Sequence, residues 1–197
     1  MERPHHVTTE RVVARTITRE VFMRRLVPII VALAACHGGS KNTPAPSAAT
    51  SASFTMQTAD GREVGRGSLQ QTPAGVLITA DLNGMPAGTH GIHLHTVGQC
   101  NAPDFASAGG HFNPSAKMHG IRNPAGHHAG DLTNISIPEG GALRVELLAP
   151  DVRLGPGNGT LLDADGAAIV VHALADDYQT DPSGASGSRI ACGVIRR

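Results

Sequence analysis

Seven residues carry the chemistry legible in this sequence: His93, His95, His111, His119, His128, Asp131 and His172. His93 and His95 stand two apart in Gly91-Ile92-His93-Leu94-His95. In a β-strand that spacing puts both imidazoles on one face while Ile92 and Leu94 point to the other. Two imidazoles side by side make a poor core and a good beginning for a metal site. One pair alone says little. His111, in Gly109-Gly110-His111-Phe112-Asn113-Pro114, and the later residues turn the pair into a set. A single loop histidine is most simply read as solvated and idle. Seven ligand-type residues confined to two strand ends and one structureless loop are not.

Donor chemistry divides the set. Imidazole suits copper and zinc alike, whereas a carboxylate among imidazoles fits a non-redox zinc. His111, His119, His128 and Asp131 would close a tetrahedral zinc site that staples a loop unable to order itself. His93, His95 and His172 sit on strands, a more rigid frame for a metal that changes oxidation state. His5, His6, His37, His90 and His127 receive no role from the sequence.

The elements that must position these residues are strands. Runs of strand character cover 54–59, 64–69, 75–82, the segment of His93 and His95, 132–137, 142–148, 167–172 and 189–195. Asp60-Gly61 and Asn83-Gly84 punctuate them as turns. Stretch 97–131, rich in Gly, Pro, Asn and His, breaks the rhythm, and 173–188 breaks it again. An irregular stretch as long as 97–131 needs something to order it, and a metal with a disulfide would do so. The pattern predicts an all-β domain of about eight antiparallel strands with two long loops, a Greek-key sandwich or flattened barrel.

Composition agrees. The 197 residues include 24 Gly, 13 Pro and no Trp, which suits one domain of short strands and glycine-rich turns. Residues 1–52 carry seven Lys/Arg against three Asp/Glu, and 53–197 carry nine against thirteen. The domain is mildly acidic, so no nucleic-acid surface is expected.

The N-terminus reads as an address. Arg24-Arg25 precede a ten-residue apolar run over 26–35, far short of the roughly 20 residues that span a bilayer. A basic segment, a short apolar run and small residues at its end describe a secretory signal. Met23-Arg24-Arg25 would begin it conventionally, which makes Met23 the expected start. Leu33-Ala34-Ala35-Cys36 resembles the lipobox of bacterial lipoproteins; that resemblance implies a chain beginning at Cys36 with an acylated thiol, in preference to ordinary cleavage near Ala35. The expected organisation is an extension and signal over 1–35, a Gly/Ser/Ala/Thr/Pro tether over 36–52 and a folded domain over 53–197. An exported chain would more often pair its cysteines than keep them reduced.

Five segments together resemble copper/zinc superoxide dismutase: Gly91 to His95, Ser107 to Pro114, His128-Ala129-Gly130-Asp131-Leu132, Val170-Val171-His172 and Gly187 to Ile195. The likeness runs in order over about 53–197 and, with Cys100 to Phe105, is nearest to the exported bacterial branch. It implies an immunoglobulin-like Greek-key sandwich. It implies copper on His93, His95, His111 and His172, and zinc on His111, His119, His128 and Asp131, with His111 bridging the two. Asp176 would link a copper histidine to a zinc histidine, and such outer carboxylates fix ring orientation. Arg189 would attract the substrate anion, and Cys100 would pair with Cys192. The implied reaction turns superoxide into dioxygen and hydrogen peroxide by alternating reduction and oxidation of copper, with His111 supplying a proton. The implied role is antioxidant defence in the periplasm or cell envelope, with a lipid anchor at Cys36 as the only membrane contact. Oligomeric state stays open, a homodimer included. Loop 177–185 carries two acids and no lysine, unlike many members, which leaves steering to Arg189, Lys117 or Arg122. Two other readings fit the scaffold: a copper/zinc-binding protein without turnover, and a zinc-only structural sandwich. The second leaves His93, His95 and His172 unexplained.

Overall fold

The computed structural model describes residues 51–197. Met23, the expected signal, Cys36 and the tether up to residue 50 lie outside the described residues. Nine strands form in the described part: β1 Ser51–Gln57, β2 Glu63–Thr72, β3 Gly75–Leu82, β4 Gly88–His90, β5 Ile92–His95, β6 Ile135–Ile137, β7 Leu143–Ala149, β8 Ala168–His172 and β9 Arg189–Val194. Seven join one curled antiparallel sheet in the order β5-β8-β9-β1-β2-β3-β7, and β4 pairs with β6. The fold is all-β, as the sequence predicts. Two details differ from the expectation. β1 takes in Ser51 and Ala52, because Ala52 is buried and faces Leu69 across the ladder. The stretch 132–137 pairs only over Ile135–Ile137, and its partner is the short Gly88–His90, which adds a ninth strand.

Alternation builds the main core. Ala52, Phe54 and Met56 on β1 and Val76, Ile78, Ala80 and Leu82 on β3 are buried, with less buried residues between most of them. β8 is buried on both faces, which explains its unbroken apolar run. Ile169 and Val171 enter the main core; Ala168 and Val170 meet Phe105, Ala108 and Cys192 in a smaller cluster. That smaller cluster lies under loop 97–110, and the Cys100–Cys192 disulfide closes it. A pinned loop has less freedom to lose, and this one leads directly to His111.

Candidate metal centre

Strand register sets half of the centre. β5 pairs with β8 so that His93 faces Val170 and His95 faces Ala168. Ile92 and Leu94 go into the main core, which sends both histidines to the opposite face. His172 shares that face with Ala168 and Val170 by alternation on β8. A bulge between Val171 and His172 then sets His172 opposite Arg189 instead of Ile190. One skipped residue is what re-aims an arginine that would otherwise follow Ala191 into the core face.

The long loop supplies the other half by returning along the free edge of β5. Leu94 donates its N–H to the Gly130 carbonyl at 2.9 Å and accepts the Phe112 N–H at 2.8 Å. Thr96 N–H reaches the Gly110 carbonyl at 3.0 Å, and Gly130 N–H reaches that of Phe112 at 2.8 Å. Backbone bonds thus lay His111 beside His95 and Asp131 beside His93.

Two groups of four ligand atoms result, each with all members within 4.8 Å of one another: His93, His95, His111 and His172, and His111, His119, His128 and Asp131; His93, His119 and Asp176 form a third, three-membered group. His111 belongs to both groups of four. All seven side chains are buried. In the first group four ring nitrogens have no hydrogen-bond partner: His93 Nδ1, His95 Nε2, His111 Nε2 and His172 Nε2. The opposite nitrogens explain why. His95 Nδ1 faces the Gly109 carbonyl at 2.9 Å, His172 Nδ1 the Gly187 carbonyl at 3.2 Å, and His93 Nε2 the Asp176 carboxylate at 2.7 Å. Each of those oxygens only accepts, so the proton sits there and a lone pair is left on the orphaned nitrogen. Buried polar atoms are rarely left unpaired, and four converging lone pairs fit one cation of imidazole preference.

The second group is drawn slightly tighter than a zinc tetrahedron. Asp131 Oδ1 lies 2.9 Å from His111 Nδ1, 3.1 Å from His119 Nδ1 and 3.1 Å from His128 Nδ1. A tetrahedral zinc with bonds near 2.0–2.1 Å has ligand–ligand edges of about 3.3–3.4 Å. The other carboxylate oxygen accepts the N–H groups of Gly120 at 2.9 Å and His128 at 3.0 Å, which fixes the plane of Asp131.

Charge separates the groups further. Burial pushes His95 down to about 2 and His172 to about 3. Burial takes His111 to about 4 against the pull of Asp131. For His119 burial also opposes the cation, yet bonds to Asp131 and Asp176 hold it up at about 9. Burial raises both aspartates, but their histidine partners keep them well below the usual carboxylate range.

Asp176 lies with Oδ2 2.7 Å from His93 Nε2 and Oδ1 3.0 Å from His119 Nε2. It thereby spans the two groups. Arg189 donates through Nη1 to the Phe105 carbonyl and through Nη2 to the Gly109 carbonyl, each at 2.6 Å. It lines one cleft with His95, His111 and His172, and Pro182 and Ser183 form another part of that wall.

Several working residues escape a sequence reading. His90 is buried, with Nδ1 2.8 Å from the His172 carbonyl and Nε2 3.1 Å from that of Pro86. Asn134 clasps the Asp176 main chain through Nδ2 and Oδ1, both at 2.8 Å. Gly184, at φ +65°, lies against Asp176 and His119, where a Cβ would come within 1.8 Å of Asp176 Oδ1. No local pattern marks any of these, because each contact is long-range. His127 belongs to neither ligand group; its Nδ1 meets the His128 carbonyl at 2.7 Å.

Residues 64–195 match the family model described as copper/zinc superoxide dismutase (SODC). This chain belongs to that family. Superoxide dismutase (Cu-Zn) 1 of Aquifex aeolicus (strain VF5) is 45% identical over 138 residues, covering 69% of this chain and 82% of that protein. The corresponding enzyme of Caulobacter vibrioides is 43% identical over 149 residues, covering 74% and 86%. Among solved structures, a SOD-like protein from Bacillus subtilis aligns with a TM-score of 0.70 at 42% identity, over 72% of this chain and 96% of that one. The Cu/Zn superoxide dismutase from Brucella abortus aligns with a TM-score of 0.61 at 28% identity, over 74% and 99%. As a copper/zinc superoxide dismutase the protein is an oxidoreductase that uses both metals and takes superoxide as substrate.

Proposed function

We propose that His93, His95, His111 and His172 hold the copper, and that His111, His119, His128 and Asp131 hold the zinc. The four partnerless ring nitrogens carry the copper assignment, and the three imidazoles around Asp131 Oδ1 support the zinc one. Bound copper supplies one-electron chemistry, so that one superoxide leaves as dioxygen and a second, with two protons, leaves as hydrogen peroxide.

The chain does the rest. Arg189 presents a cation in a cleft whose imidazoles are neutral, so its charge acts on a small anion without compensation from them. Its two carbonyl bonds fix the guanidinium and leave other N–H groups for that anion. His111 Nε2, when not bound to the metal, would carry a proton for the peroxide-forming half, while Nδ1 stays engaged with the Asp131 group. Asp176 orients His93 and His119 together, which keeps the two donor groups in one geometry. The disulfide ties Phe105 and Gly109, the acceptors for Arg189, to the strand that bears it.

The protein is further proposed to be exported and lipid-anchored through Cys36. Support comes from Arg24-Arg25, the ten-residue apolar run and Leu33-Ala34-Ala35-Cys36. The Cys100–Cys192 disulfide suits an oxidising compartment. The intact mass of the protein extracted from membranes is expected to correspond to a chain starting at an acylated Cys36, and Cys36→Ala to release the domain from the membrane fraction.

Metal content and superoxide removal of the purified protein, with and without added copper, test the central reading. One copper and one zinc per chain are expected, with activity that disappears on copper removal. Zinc alone, with no copper uptake and no activity, would overturn it.

A further inference from the structure

A second carboxylate in the loop after β8 reaches the zinc ligands. Asp181 Oδ1 accepts the main-chain N–H of His119 at 2.6 Å. The same oxygen stands 4.0 Å from His128 Nε2, beyond hydrogen-bond length and within ion-pair range. His128 turns Nδ1 toward Asp131, and with Nδ1 given to the zinc proposed above, Nε2 is the nitrogen left to carry the ring proton. A carboxylate facing that N–H favours the tautomer a metal needs at Nδ1. One oxygen therefore addresses the backbone of one zinc-group histidine and the ring of another.

Its position in the chain gives the contact a second meaning. The next residues, Pro182 and Ser183, line the cleft that holds His95, His111, His172 and Arg189. The segment before Asp181 is anchored to the same loop: Arg122 donates its N–H to the Tyr178 carbonyl at 3.0 Å, and Asn134 donates its own to the Tyr178 hydroxyl at 2.7 Å. The segment after it folds back, with the Gly184 carbonyl accepting the Asp177 N–H at 2.9 Å.

We infer that Asp181 is a positioning residue that ties the Pro182–Ser183 wall of the substrate cleft to the zinc ligands, through the His119 N–H and the His128 ring. This rests on the zinc assignment proposed above. It differs from the Asp176 bridge, which joins the two metal groups to each other. Asp181 joins the zinc group to the entrance wall.

Two variants of the full chain separate its two contacts. Asp181→Asn keeps an oxygen for the His119 N–H but removes the charge facing His128; Asp181→Ala removes both. Zinc retention against a competing chelator is expected to fall roughly tenfold in Asp181→Ala, the lower end of the loss typical for an outer carboxylate. Cobalt(II) placed in the zinc group should show shifted ligand-field absorption in both variants, because both free the His128 ring. Hydrogen exchange at the His119 amide and at residues 183–187 should accelerate in Asp181→Ala and stay near wild type in Asp181→Asn. Wild-type zinc retention and an unmoved cobalt spectrum in both variants would overturn the inference. Equal acceleration of exchange in both, with unmoved cobalt bands, would reduce Asp181 to a general stability effect and overturn it as well. A wild-type chain that takes up no zinc or cobalt would instead overturn the metal assignment beneath it.

Discussion

In the group we propose for copper, His93 and His95 come from β5 and His172 from β8, and sheet register brings their rings together. In the group we propose for zinc, His111, His119, His128 and Asp131 come from one irregular stretch and meet around a single carboxylate oxygen. The first set is framed before any metal arrives and is left with four unpaired lone pairs. The second has little frame of its own and satisfies itself through contacts to the Asp131 carboxylate. A redox metal needs ligands that stay put while its charge changes, and strands provide that. A structural metal has to gather a loop, and a carboxylate that attracts three imidazoles begins the gathering without it.

The sharpest way to break this division is to remove the residue that belongs to both sides. His111→Ala should lower superoxide turnover by about 10²–10⁴-fold or more, since it deletes a positioned proton donor. Part of the copper should remain on the three strand histidines. Near-normal activity with full metal would refute the shared role. Asp131→Ala attacks the zinc side directly and reaches the copper side only through His111. It should abolish zinc binding and cost the metal-free fold about 3–5 kcal/mol, the range for breaking a buried charged cluster, read from denaturant midpoints. The copper-side histidines should still bind copper, because β5 and β8 do not depend on Asp131.

Acid and base should separate the two sides in metal-free protein. His95, His172 and His111 titrate at about 2, 3 and 4 when folded, below the ordinary 6.5. The unfolded chain therefore takes protons that the folded one refuses, and stability from these groups is full above about 6.5 and falls as pH drops toward those values. His119 is held up at about 9 when folded, so its contribution is full below 6.5 and disappears as pH rises through about 9. Denaturation midpoints across pH should trace a dome. His172→Gln should flatten the acid limb and His119→Gln the alkaline one. A dome unchanged by either variant would erase the distinction. The smallest effect should come from His90→Phe, which removes the ring N–H offered to the His172 or the Pro86 carbonyl. It should cost about 1–3 kcal/mol with copper still bound, measured by thermal melting with and without metal.

The sequence shows the ligands more fully than it shows the architecture around them. His93 and His95 are legible because a strand's two-residue period leaves one orientation, and the spacing of His111, His119, His128 and Asp131 marks one loop with one purpose. Asp176 and Arg189 are legible through the family pattern. His90 is not, because its partners are backbone oxygens, one of them 82 positions away in sequence. Neither is the bulge at Val171/His172, which aims Arg189 and leaves no mark in residue type. The pairing of Gly88–His90 with Ile135–Ile137 was hidden for the same reason: three-residue strands carry too few residues to show a period.

The Gly109 carbonyl accepts from both His95 Nδ1 and Arg189 Nη2. A peptide oxygen has no side chain to exchange, so this link between imidazole and guanidinium is written in the path of the chain and not in its alphabet. Residue 109 itself is confined to glycine, at φ +75° with Thr96 Oγ1 2.4 Å from where a Cβ would sit. Anyone re-engineering the cleft for a different anion can replace Arg189 freely but cannot delete its acceptor. Retuning that contact means rebuilding the turn from Phe105 to Gly109, a change of several residues at once. Single-site mutagenesis, however exhaustive, would record position 109 as intolerant and give no hint that the atom at stake is an oxygen every residue possesses.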